Sequence, residues 1–244
     1  MTTIDFQFSG PRGTTARGRS RVDAPSEPST SLRASAVQFE PRRDDLDYNL
    51  GRVAHFVHEA GRDGVQLMAF PEMCARGYWH LRRQSVERLR ELAEPADGPT
   101  VSAVRDLATG HAMGVGVGFL ERSVDGRLFN SYAFCLPDGE VHVHRKLHAF
   151  EHPAIDSGDR FTTFDTPWGI RVGILVCYDN NLVENVRATA LLGASVLIAP
   201  TRPAAPRHGA RTGCDRSSRA CGRPESATRT ASKRRSVGRT GGNG

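Results

Sequence analysis

Residues 170–177 read IRVGILVC, a near-continuous apolar run that closes on Cys177 and gives way to the polar stretch YDNN. A run of this length bounded by turn residues reads as a buried strand. LVENVRATALLGA (182–194) then reads as a helix, and SVLIAP (195–200) as a further buried strand. Strand, turn, helix, strand is the repeating unit of layered α/β domains. Asn181 with Glu184 three residues on has the form of a capping box. Cys177 is therefore expected near a helix N-terminus, where backbone N–H groups and the helix dipole favour a thiolate.

Outward from this unit the alternation continues. LRASAVQF reads as a strand, and DLDYNLGRVAHFVHEAGRDG as an amphipathic helix with Leu46, Leu50, Val53, Val57 and Ala60 on one stripe. VQLMAF is a buried strand, and helical stretches follow near 84–94 and 100–109. HAMGVGVGFLER, LFNSYAFCL and EVHVHRK are successive strands, the last two joined by the turn Pro137-Asp138-Gly139. RFTTFDT pairs with IRVGILVC across Pro167-Trp168-Gly169. The glycines of GVGVG lack the spacing of a phosphate loop and sit inside a strand, which predicts close backbone packing.

Two more reactive groups stand where Cys177 stands, at or just past the end of an apolar segment. Glu72 closes VQLMAFPE, and Lys146 follows HVHR as the one lysine among residues 1–232. A chain that otherwise uses arginine for positive charge keeps a compact ammonium at one place, and the two cations are not interchangeable at a reaction centre. Taken singly, a glutamate in a loop, a solvated lysine and a small buried cysteine each have an ordinary structural explanation. The combination changes the reading.

The order Glu, Lys, Cys in PEMCARGY, HRKLHAF and LVCYDNN resembles the nitrilase superfamily of carbon–nitrogen hydrolases. ASAVQFEP resembles that family's first strand, Gly77-Tyr78 fits after the glutamate, FNSYAFCLPDGEVHVHRK is similar to the hairpin leading to the lysine, and LLGASVLIAP to the following helix and strand. The resemblance covers about residues 32–200 and implies an α/β fold, a nitrilase-like α-β-β-α sandwich, incomplete at its C-terminus. It implies that Cys177 attacks an amide or nitrile carbon to form a thioester, and that Glu72 is general base and acid. Lys146 and the N–H of Tyr178 would stabilise the oxyanion. Glu151 and Asp179 are further acids in supporting positions, Glu151 being the nearest to the lysine on its C-terminal side. Cys-Tyr-Asp resembles the amidase and carbamoylase branches, so a small amide or N-carbamoyl compound is expected as substrate ahead of a nitrile, with water as co-substrate. No cofactor or metal is implied. His142, His144, His148 and His152 surround Lys146 and read as strand and loop histidines beside the pocket. Members of the family associate through surfaces that include the C-terminal region, which leaves a homo-oligomer open here.

The flanks read differently. Residues 1–31 are rich in Arg, Ser, Thr, Gly and Pro and are expected to be disordered, with no signal-peptide or membrane-anchor pattern. Residues 201–244 hold 11 basic and 2 acidic residues and no Leu, Ile, Met, Phe, Tyr or Trp. Such a segment cannot bury enough apolar surface to offset its ordering entropy, and a disordered Arg-rich tail is expected. The change in composition near residue 200 has the look of a shifted reading frame or a truncated gene. The tail's surplus of +9 exceeds the whole chain's +6, so residues 1–200 carry −3. A basic tail neutralises phosphates, but without aromatics for base stacking a nucleic-acid partner is not expected. Five cysteines without a disulfide framework read as reduced thiols, and a cytoplasmic location without a membrane partner is expected. Two other readings remain: an inactive remnant of such a hydrolase, and an interaction protein acting through its basic tail.

Overall fold

The computed structural model describes residues 1–8 and 30–202. The expected disordered segments fall largely outside that range, as do Cys214 and Cys221. The exception is a correction. Thr2–Phe8 forms strand β1, hydrogen-bonded antiparallel to β2 (Thr30–Ala36) from Thr2 opposite Ala36 to Phe8 opposite Thr30. Ile4, Phe6 and Phe8 alternate with polar residues there, the period-2 pattern of a strand with one face inward, and Phe6 and Phe8 pack against buried Leu32 and its neighbours.

The chain continues through α1 (Leu46–Arg62), β3 (Leu67–Ala69), a 3₁₀ turn (Leu81–Arg83), α2 (Val86–Leu92) and α3 (Pro99–Gly110). Then come β4 (Gly114–Arg122), β5 (Leu128–Cys135), β6 (Val141–Arg145), β7 (Ile155–Asp156), β8 (Thr162–Asp165) and β9 (Arg171–Ile174). A second 3₁₀ turn (Cys177–Asn181), α4 (Val183–Leu191) and β10 (Val196–Ile198) complete the described elements. Seven strands form one sheet in the order β1-β2-β3-β4-β5-β6, with β7 beside β5, and three form another in the order β10-β9-β8. β2, β3 and β4 run parallel, and so do β9 and β10.

The layers follow from which faces are apolar. Val53, Val57 and Ala60 of α1 and Val101, Val104 and Ala108 of α3 bury one face of the large sheet through Met68, Val115, Val117 and Ala133. The opposite face presents Leu32, Leu67, Tyr132 and Phe134 to Phe164, Val172, Ile174 and Ile198 of the small sheet. Beyond the small sheet lies α4, whose Thr189 sits where a Cβ on Gly173 would come within 2.2 Å. The result is a helix–sheet–sheet–helix sandwich whose second sheet has three strands among the described residues. Gly116 and Gly118 of β4 allow close approach, since a Cβ would lie 2.6 Å from Tyr132 and 2.3 Å from the Met73 backbone nitrogen. Among the described residues no helix is long and apolar enough to cross a membrane.

Candidate active site

Parallel strands deliver their C-terminal ends to one edge, which is where α/β sheets build sites. Past the end of β3 the chain is held by Tyr132, whose hydroxyl accepts from Phe70 N–H at 3.1 Å and donates to Phe70 C=O at 2.9 Å. Pro71 and Glu72 follow, and Met73 adopts φ 55°, in the left-handed region that non-glycine residues seldom enter. The missing side chain of Gly118 makes room for that turn. Glu72 is thus aimed inward with no exposed surface.

Lys146 lies one residue past β6. Its N–H donates to Asn130 C=O at 2.8 Å, prolonging the ladder with β5. Its ammonium, fully buried, donates to Glu72 Oε1 at 2.7 Å and to Glu151 Oε1, with the Phe150 ring centroid 4.6 Å away. Tyr78 Oη donates to the same Glu151 oxygen at 3.5 Å. Burial opposes the Lys146 charge, but the two carboxylates outweigh it and hold the ammonium above its ordinary range. Glu72 is raised too: burial lifts its carboxyl and so favours the neutral acid, against the pull of Lys146 and the Asn130 amide.

Asn130 escaped the sequence reading. Its Nδ2 donates to Glu72 Oε1 at 2.7 Å. The signal was present, because Asn130 and Ser131 interrupt an otherwise apolar strand and buried polar side chains need partners. Ser131 finds Glu121, its Oγ donating at 2.5 Å. With Oε1 of Glu72 engaged twice, Oε2 is buried and accepts no hydrogen bond from any nitrogen or hydroxyl among the described residues.

Cys177 ends the continuation of β9, its N–H donating to Pro200 C=O at 2.8 Å. Its φ of 51° is again left-handed, a strain that persists only where surrounding contacts impose it. The half-buried thiol interacts with the Glu72 side chain and the Arg202 main chain and feels the charge of Lys146. Burial, and then the Glu72 charge, push the Cys177 thiol up to about 11, so it is protonated at neutral pH. This corrects the expected thiolate. The capping box is absent as well: a 3₁₀ turn follows the cysteine, α4 starts only at Val183, and its N-cap Leu182 offers no side-chain acceptor. The 3₁₀ turn thus stands between Cys177 and the start of α4.

Of the other singled-out residues, Tyr178 turns its ring outward against His148 and Phe150, at centroid distances of 6.4 and 5.6 Å. Asp179 is fully buried and bonds to the segment after Lys146. His142 stacks on Phe164 at 4.1 Å and His144 bonds to Thr162 Oγ1 at 3.1 Å. Cys74 and Cys135 are buried thiols raised to about 12 by desolvation.

A two-sheet sandwich with a buried carboxylate–ammonium pair past the strands of the large sheet and a half-buried thiol past a strand of the small one fits a carbon–nitrogen hydrolase. The profile of that family matches residues 33–216, and the chain belongs to it. An (R)-stereoselective amidase from a Pseudomonas species is 35% identical over 170 residues, covering 68% of this chain and 59% of that protein. A nitrilase of Pyrococcus abyssi is 30% identical over 182 residues, covering 72% of this chain and 68% of its own. Among solved structures, Nit3 of Saccharomyces cerevisiae, a member of branch 10 of the nitrilase superfamily, superposes with a TM-score of 0.61 at 26% identity, over 70% of this chain and 64% of that one. The chain thus spans about three fifths of the length of the amidase it matches.

Proposed function

We propose that this chain hydrolyses the C–N bond of a small amide or N-carbamoyl compound by way of a thioester on Cys177. The observation that supports this most directly is the fully buried Lys146 ammonium held between Glu72 and Glu151 beside a protonated thiol. Similarity to an (R)-stereoselective amidase adds to it. The free Oε2 of Glu72 takes the Cys177 proton as sulfur bonds to the carbonyl carbon, and negative charge moves to the carbonyl oxygen. Lys146 Nζ and the N–H of Tyr178 receive that oxyanion, in a site where donors held in place are worth far more than in water. The C–N bond then breaks, Glu72 returns the proton to the leaving nitrogen, and ammonia departs. Water next loses a proton to Glu72 and attacks the thioester. Collapse frees the acid product and returns the proton to sulfur, so the base ends as it began. Glu151 keeps Lys146 charged and in place throughout. A cytoplasmic location accompanies this reading.

Ammonia release by the full chain across small amides, N-carbamoyl amino acids and nitriles tests the assignment. Turnover of amides or ureido compounds is expected. Activity on nitriles alone would move the substrate class, and no release from any of them would leave the inactive-remnant reading.

A further inference from the structure

One buried acid at the site takes no part in these steps. Asp179 lies two residues past Cys177 with no exposed side-chain surface. Its Oδ2 accepts from Leu147 N–H at 3.0 Å, and its Oδ1 accepts from His148 N–H at 2.9 Å and faces His148 Nδ1 at 3.0 Å. His144 Nε2 stands 3.9 Å from Oδ2. Burial opposes the Asp179 charge, but His144 and the N–H donors outweigh it and hold the carboxyl below its ordinary range. The two main-chain donors belong to the two residues that immediately follow Lys146. On its other side, Lys146 is fixed through Asn130, and its C=O accepts from Gly158 N–H at 2.7 Å.

Lys146 extends the large sheet and Cys177 extends the small one. Strand pairing fixes each residue within its own sheet but does not set one sheet's end against the other. The turn carrying Cys177 is tied within itself by Asn180, whose Nδ2 donates to Leu175 C=O at 2.7 Å and Cys177 C=O at 3.3 Å, bonds that do not reach the large sheet. The Asp179 carboxylate supplies bonds across that gap, and Asn185 Nδ2 secures its own main chain by donating to Asp179 C=O at 3.1 Å. We propose that Asp179 is a positioning residue that holds the Lys146 ammonium in register with the Cys177 sulfur by clamping the main chain after the lysine to the nucleophile's turn. The inference rests on the hydrolase reading for its purpose, though not for its geometry. Displacements of about 1 Å at such a site cost on the order of 100-fold in rate.

The test is carboxamidomethylation of Cys177 by iodoacetamide in the full chain at pH 9, followed by peptide mapping, in D179N and D179E. The amide of D179N turns a donor toward one of the two N–H groups, whereas D179E keeps the charge and shifts the acceptors by one methylene. If Lys146 drifts from the sulfur, the thiol titrates higher and alkylation slows in both variants, by about tenfold for each unit of rise. Amide exchange at Leu147 and His148 is expected to quicken while β5 stays protected. A merely structural pin predicts the opposite sign, because a loosened turn exposes the sulfur and speeds alkylation. An unchanged or faster rate in D179E would overturn the proposal, and D179E alone decides the matter should D179N not fold. Alkylation needs no turnover, so failure of the hydrolase assignment shows only in the ammonia assay and failure of the clamp only here.

Discussion

Lys146 Nζ lies 2.7 Å from Glu72 Oε1, and neither side chain has any exposed surface. Two carboxylates and one ammonium share this buried cluster, so the lysine neutralises charge that the fold has already desolvated. Removing one member of a buried pair is far costlier than losing a surface ion pair.

K146M is accordingly expected to lose about 3–5 kcal/mol of stability at neutral pH. The pH dependence has a definite sign. Burial already raises the native carboxyl of Glu72, and loss of the cation raises it further, so the native state binds more protons than the unfolded chain. Stability then falls as pH rises from the unfolded carboxyl range through the native one. Urea melts of K146M at pH 5 and pH 8 should show the larger deficit at pH 8. An equal deficit at both would mean that Glu72 is not left charged.

E72Q separates chemistry from reactivity. The Glu72 charge helps hold the Cys177 thiol up at about 11, so the neutral amide lets the thiol ionise more readily. Alkylation of Cys177 by iodoacetamide at pH 8 should quicken in E72Q while ammonia release falls by at least about 100-fold for want of a base. Ammonia release unchanged in E72Q would place Glu72 outside the proton path.

Cys177 carries left-handed backbone strain, at φ 51°. C177A and C177G are both expected to lack turnover. C177G should be the more stable of the two by about 0.5–1 kcal/mol, since glycine enters that region without a Cβ penalty. Thermal melts decide this, and C177A melting higher would show the strain to be absent.

G118A should disturb Glu72 without touching it. A Cβ there would sit 2.3 Å from the Met73 backbone nitrogen, so the turn carrying the base must shift. A loss of about 1–3 kcal/mol is expected, along with a fall in kcat, checked by denaturation and steady-state rates. A variant with wild-type rates would show that the Glu72 turn has slack.

Much of this was legible in the chain. The stripe Leu46, Leu50, Val53, Val57 and Ala60 follows helical periodicity, and the structure turns it onto the sheet. The glycines of β4 read as close-packing positions because they fall inside a strand pattern, and backbone and aromatic rings do crowd them. β1 was lost by averaging, since a short alternating TIDFQF is diluted by the Arg- and Pro-rich residues after it. The capping-box motif misled because its spacing matches while the chain between Cys177 and Val183 spends itself in a 3₁₀ turn. A helix-start motif is a local pattern, whereas the start itself depends on where the preceding strand releases the chain.

Sequence alone settled which residue types stand at three strand ends, and therefore the family, because periodicity and turn chemistry act over a few neighbours. Tertiary structure alone decided the rest. Glu72 and Lys146 meet across 74 positions, Asn130 is recruited to the same oxygen, and Asp179 reaches back to Leu147 and His148. The protonated thiol belongs to this second group: desolvation and the Glu72 charge raise it, and both depend on groups that only folding brings together.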